Sequence, residues 1–192
     1  MGGGALPTHP PVTRNAENAE SALAGLPADA PLRDVWLALG RGGVLRGLYE
    51  DGRVRAARLG ELLRAVDARG DNGVTLGVLV QTASALPLLG GEGGEVYEWA
   101  LAGEAVVALA ATDADAAGSD LAGLGTEVAI EGERLTLNGG KRWITGALAA
   151  DRLLVLARHR PGRHFTSFAW VLVPADAPGV TVRPAATDLL AG

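Results

Sequence analysis

The chain has 192 residues, 48% of them hydrophobic and 20% charged, the size and balance of a globular protein that buries its own core. It contains no cysteine, which excludes disulfides, thiolate metal sites and a cysteine nucleophile. Its net charge of −5 argues against a nucleic-acid or anionic-membrane binder. Lys141 is the only lysine, and this Arg bias, with the abundant Ala and Gly, reads as codon pressure from a GC-rich genome.

Residues 1–14, with Met1-Gly2-Gly3-Gly4 and then Pro7, Pro10 and Pro11, read as a flexible tail. They carry neither the basic nor the apolar region of a signal peptide. No stretch approaches the roughly 20 apolar residues of a membrane helix, so a cytoplasmic protein is expected. Asn15 to Leu26 is an Ala-rich, weakly amphipathic helix candidate. Leu32, Val35, Trp36 and Leu39 then recur at i, i+3, i+4 and i+7, one face of a helix, and Leu59, Leu62, Leu63 and Val66 repeat the pattern. A third helix is expected from Val74 to Leu86, apolar on several sides, with Pro87 and the Gly90–Gly94 run ending it. A short helix around Glu95–Leu101 follows.

After residue 104 the pattern turns strand-like. Val106–Ala111 is an apolar run. Val128–Glu131, the Gly132 turn and Arg134–Asn138 read as a hairpin. Trp143-Ile144-Thr145 follows the Asn138-Gly139-Gly140 turn, and Leu153–Leu156, Phe168–Val173 and Val180–Val182 are further strand candidates. Helices first and strands afterwards predict an α+β protein. The expected units are an N-terminal helical domain over 15–103 and a small antiparallel β-sandwich or barrel domain over 104–192.

Two segments go beyond periodicity. Thr112-Asp113-Ala114-Asp115-Ala116-Ala117-Gly118-Ser119-Asp120 directly follows a strand, and Leu137-Asn138-Gly139-Gly140-Lys141-Arg142-Trp143-Ile144-Thr145-Gly146 lies downstream. A Gly-Ser pair in a loop lets backbone N–H groups approach a pyrophosphate, and the Ser119 hydroxyl can donate to a phosphate oxygen. A Trp offers a rigid apolar wall to a flat ring system. Each feature alone has a plain reading: Gly118-Ser119-Asp120 as a turn, Trp143 as a core or cap residue, Asn138-Gly139 as a hairpin turn.

Together, at this spacing, they resemble the acyl-CoA dehydrogenase family, whose middle domain carries a Thr-Glu-Pro-x-Ala-Gly-Ser-Asp loop and a Leu-Asn-Gly-x-Lys-x-Trp-Ile-Thr segment. Asp151–Ala157 and Asp176–Val182 are similar to later stretches of the same domain. Upstream, Leu62 to Thr112 fits the family's last N-terminal helices, so the resemblance covers roughly residues 32–184. Asp113 stands where the family has Glu, the loop holds one extra residue between Thr112 and Gly118, and Leu109 stands where an aromatic is usual.

The resemblance implies FAD as cofactor. Thr112, Gly118 and Ser119 would touch the flavin and its phosphates, Leu109 and Ala111 would give backbone contacts, and Trp143 and Thr145 would line the ring, with Ser119 also meeting substrate. It implies oxidation of an acyl thioester, on CoA or a carrier protein, to the α,β-enoyl thioester, with electrons passed to an acceptor. The family's catalytic Glu belongs to a C-terminal four-helix domain absent from these residues. Either the chain is a truncated piece or a second polypeptide supplies the rest; a separate C-terminal-half polypeptide in a hetero-oligomer is the expected source of the base, and the β domain is expected to be incomplete at its C-terminal end. A flavin monooxygenase on the same fold, and a non-catalytic subunit that has lost flavin, stay open as alternatives. No metal site is expected: no His, Asp and Glu cluster has ligand spacing, and the Arg158-His159-Arg160…Arg163-His164 cluster reads as a solvated loop.

Overall fold

The helical half begins at Asn18, whose side chain accepts from the Ser21 N–H at 2.7 Å and caps α1 (Ala19–Leu23). The computed structural model describes residues 18–114, 121–162 and 164–185; the tail expected over 1–14 lies outside them. Helix α2 (Leu32–Arg41) buries Leu32, Val35, Trp36 and Leu39, the stripe that periodicity predicts. A two-residue hairpin, β1 (Tyr49–Glu50) with β2 (Arg53–Val54), turns through Asp51 and Gly52, both at positive φ. Helix α3 (Ala56–Asp67) buries Leu62 and Val66.

Asp71 caps α4 (Asn72–Val80), accepting from the Val74 N–H at 2.9 Å. Pro87 does not end this helix. The chain widens into a π-turn over Gln81–Ala85 and runs on into α5 (Leu86–Leu89). A proline lacks the N–H that the regular ladder needs, and an enlarged turn just before it absorbs the mismatch. The glycine run supplies the stop: Gly90 has φ +42 and a 3-10 turn leads into α6 (Gly94–Leu101). Asn72–Leu89 is thereby one 18-residue helix of mean hydropathy 1.3, long and apolar enough by length and composition to cross a membrane. That corrects the expectation from the sequence that no stretch comes near such a length. The helix packs on α2, α3 and the first strand of the sheet, burying Val74, Val78, Ala85, Leu86 and Leu89, as a core helix does.

Strand β3 (Val107–Ala110) opens a five-stranded sheet with β4 (Glu127–Glu131), β5 (Arg134–Asn138), β6 (Arg152–Arg158) and β7 (Phe168–Pro174). The α+β order holds, with helices before the sheet. The sheet is mixed rather than antiparallel throughout. β4–β5 and β6–β7 are antiparallel, whereas β3 and β4 both run parallel to β6. The connection from β3 to β6 is long enough to bring the chain back in the same direction, which a tight hairpin cannot do. Val180–Val182, a strand candidate by composition, pairs with no strand among the described residues.

The halves share one core. Trp36 Nε1 donates to the Ala105 carbonyl at 2.9 Å, and the Gln81 side-chain carbonyl accepts from the Val107 N–H at 2.9 Å. Asp151 accepts from the Val106 N–H at 2.8 Å and from Arg33 at 2.8 Å. Gly40 and Gly103 let α2 cross the lead into β3. A Cβ on Gly40 would lie 2.2 Å from the Ala102 backbone, and one on Gly103 (φ +80) would lie 2.6 Å from the Trp36 carbonyl.

Candidate functional site

Strand β7 takes one edge of β6 along its whole length, so β3 and β4 share the other. β3 pairs with Arg152–Val155 and β4 joins at Arg158, both in the same direction. The chain thus leaves the sheet after Ala110, makes the excursion 111–126, and re-enters the same edge three residues further along β6. The Thr126 carbonyl receives the Arg158 N–H at 2.8 Å at the point of re-entry. The first motif segment is the start of this excursion.

The second motif segment lies against it. Asp113 and Lys141 form an antiparallel bridge, flanked by Ala114 N–H to the Gly140 carbonyl at 2.9 Å and Arg142 N–H to the Thr112 carbonyl at 3.0 Å. Side chains reinforce the backbone. Asp113 Oδ1 accepts from Lys141 Nζ and from the Thr126 hydroxyl at 2.7 Å, and Oδ2 accepts from the Gly125 N–H at 2.5 Å and the Thr126 N–H at 3.0 Å. Lys141 Nζ also donates to the Ala111 carbonyl at 3.1 Å. Both side chains are almost wholly buried.

Burial alone would raise the Asp113 pKa, but the bonds from Lys141, Thr126 and Gly125 outweigh it and hold the carboxyl below its ordinary value. Burial pushes the Lys141 ammonium down, opposed by the facing carboxylate. The close approach also uses glycine: a Cβ on Gly139 (φ +144) would lie 2.7 Å from Thr126.

Trp143, two residues past Lys141, has φ +58 and is 57% exposed. A bulky residue in the left-handed region costs on the order of 1–3 kcal/mol and persists only when its surroundings over-determine it. Those surroundings are visible: the Arg142 N–H is held by Thr112 on one side, and the Ile144 carbonyl accepts from the Ala147 N–H at 3.2 Å on the other. One net backbone bond contributes about 0.5–1.5 kcal/mol, at the lower end of such a strain. Removing one partner of the buried Asp113–Lys141 pair would leave the other charge unpaired, at a cost of about 3–5 kcal/mol, so this contact is the costlier one to break. Leu148, 65% exposed, follows in the same loop.

Of the residues singled out in the sequence, the fold brings Ala111 and Thr112 against the 140–142 segment that leads into Trp143. Leu109 is half-buried in β3 opposite Leu154, and Thr145 is half-buried. Gly118 and Ser119 lie outside the described residues. Sequence reasoning treated Asp113 only as a departure from the family pattern and missed its bonds to Lys141, Thr126 and Gly125. One signal was available: a single lysine among 17 basic residues stands at a position where a compact point charge, not a forked guanidinium, fits between two segments. Among the described residues no group of three or more His, Asp or Glu could hold a metal. Clefts of about 530 and 390 Å³ lie at the β1–β2 hairpin and beside α1. The candidate site is a wall: a pinned backbone edge carrying an exposed, strained indole, which fits a flat ring system laid against it.

Residues 108–189 match the family described as acyl-CoA dehydrogenase, middle domain. The acyl-CoA dehydrogenase IpdE1 of Mycobacterium tuberculosis is 41% identical over 70 residues, 35% of this chain and 18% of that enzyme. A glutaryl-CoA dehydrogenase from Mycobacterium smegmatis in complex with FADH2 is 28% identical, with TM-score 0.64 over 87% of this chain and 43% of its own. The Tcur3481-Tcur3483 steroid ACAD, at 24% identity, shares the fold, with TM-score 0.66 over 84% of this chain and 46% of its own. The chain spans less than half the length of each of these proteins. Model match, relatives and architecture all support the acyl-CoA dehydrogenase family, whose middle-domain model covers residues 108–189 of this chain.

Proposed function

We propose that this chain forms the flavin-facing wall of an FAD-dependent acyl-thioester dehydrogenase, with residues 15–103 as its helical part and 104–192 as its β part. The observation that carries the reading is the pairing of Thr112–Ala114 with Gly140–Arg142, which presents Trp143 exposed on a strained backbone. The solved glutaryl-CoA dehydrogenase holding FADH2 supports the choice of cofactor. Thr112, Gly118 and Ser119 would hold the flavin and its phosphates, Leu109 and Ala111 would contribute backbone, Trp143 and Thr145 would line the ring, and Ser119 would also meet substrate. When bound, the flavin would supply the acceptor for the hydride that leaves the β carbon of the acyl group. Trp143 keeps water from one side of the ring, and the pinned Thr112 and Arg142 backbone fixes that wall before substrate arrives.

The base that removes the α proton comes, in this proposal, from polypeptide outside these residues. The name of the Tcur3481-Tcur3483 steroid ACAD joins two designations, which supports a second chain in a hetero-oligomer as its source. A cytoplasmic location and a separate electron acceptor complete the reading. The test is to purify the chain with the polypeptide that completes the fold and titrate acyl-CoA and acyl-pantetheine thioesters. Bleaching of the oxidised flavin band is expected with at least one acyl thioester; a yellow complex that no acyl thioester bleaches would overturn the dehydrogenase reading.

A further inference from the structure

Asp113 has both carboxylate oxygens fully engaged and Lys141 bridges it to the Ala111 carbonyl, so neither is arranged to receive a ligand. What the pair does is join two segments that are 28 residues apart in the chain. Its bonds reach three places at once: the first residue of the excursion, through Ala111; the return of the excursion to the sheet, through Gly125 and Thr126; and the approach to Trp143, through Lys141. Among the described residues, no hydrogen bond of Trp143 itself holds its backbone left-handed. Its φ of +58 is set by neighbours, and the nearest anchored one is Arg142, whose N–H is held only while the 111–114 segment stays in register.

We propose that Asp113 and Lys141 are positioning residues that act as one lock, setting the register between the excursion and the 140–146 loop and, through it, the pose of Trp143 against the flavin. The flavin part rests on the function proposed above; the register part does not. Flavin affinity then depends on two buried residues that do not touch the flavin. The shorter Asp, where the family has Glu, belongs to this arrangement: its carboxylate sits close enough to its own backbone to take the Gly125 and Thr126 N–H groups together.

The experiment uses Asp113→Asn, Lys141→Met and the double variant in the intact holo-protein, with Thr126→Val as a milder variant that removes one bond to Asp113 Oδ1 should the others fail to fold. Hydrogen exchange is followed at the Ala114 and Arg142 amides and, as an internal reference, at the β6–β7 amides, alongside FAD titration and the flavin visible spectrum. The lock predicts exchange at Ala114 and Arg142 faster by about tenfold or more with β6–β7 protection unchanged. It also predicts FAD affinity weakened by about tenfold or more, an altered flavin band, and a double variant no worse than either single one. Equal acceleration across the whole sheet, or additive losses in the double variant, would show an ordinary stability role and overturn the lock. Wild-type protein that takes up no FAD would remove the flavin role, and the exchange data would still decide whether the pair sets the register.

Discussion

The indole N–H of Trp36 in α2 donates to the carbonyl of Ala105, 69 residues later, at 2.9 Å in a fully buried contact. It joins the helical part to the lead into β3 at the same place where Gly40 and Gly103 bring the two backbones together. Trp36→Phe keeps most of the apolar bulk but leaves the Ala105 carbonyl buried without this donor, so a loss of about 1–3 kcal/mol is expected in urea unfolding. Trp36→Ala is expected to cost about 3–5 kcal/mol. A loss below about 0.5 kcal/mol for both would mean this junction does not hold the two parts together.

The glycine crossing gives a paired comparison. Gly103→Ala forces a Cβ to within 2.6 Å of the Trp36 carbonyl at a φ of +80, whereas Gly132→Ala at a φ of +62 meets nothing within 4 Å. The first is expected to destabilise by about 3 kcal/mol or more, from overpacking added to backbone strain. The second carries only the conformational cost of about 1 kcal/mol. Thermal melts of both variants check the order.

Trp143→Gly separates strain from function. Glycine takes a φ of +58 without penalty, and the side chain removed is 57% exposed. Stability is expected to stay level or rise by up to about 1 kcal/mol, while FAD binding weakens. A variant that melts earlier and binds FAD as the wild type does would contradict the role given to this residue.

The Asp113 carboxyl sits below its ordinary value of 3.8 in the folded chain. A depressed carboxylate stabilises the fold in full above the unfolded value and loses that contribution as pH falls through the folded one. The stability difference between wild type and Asp113→Asn is therefore expected to hold from about pH 5 up to the range in which the Lys141 ammonium titrates, and to shrink below the ordinary Asp range. Urea midpoints across an acid series measure it. A difference that shrinks near neutrality would place the controlling titration elsewhere.

The helices, the β4–β5 hairpin and the apolar strands other than Val180–Val182 could be read from the amino-acid order, because each depends on local spacing: 3.6-residue stripes such as Leu32-Val35-Trp36-Leu39, and a Gly132 turn between two short runs. The two motif segments were legible for the same reason, as residue types at fixed intervals. Their meeting was not, because Asp113 and Lys141 come together only after β3 and β4 have taken the same edge of β6. No local period encodes that parallel return. Nor did the order of residues show that Pro87 would be carried through by a π-turn, since that turn is held by long-range bonds: Tyr49 O–H to the Thr82 carbonyl at 2.7 Å and the Val107 N–H to Gln81. Local chemistry determined which elements form; the burial of a charge pair between two distant loops, decided only in the folded chain, determined how the candidate site is held.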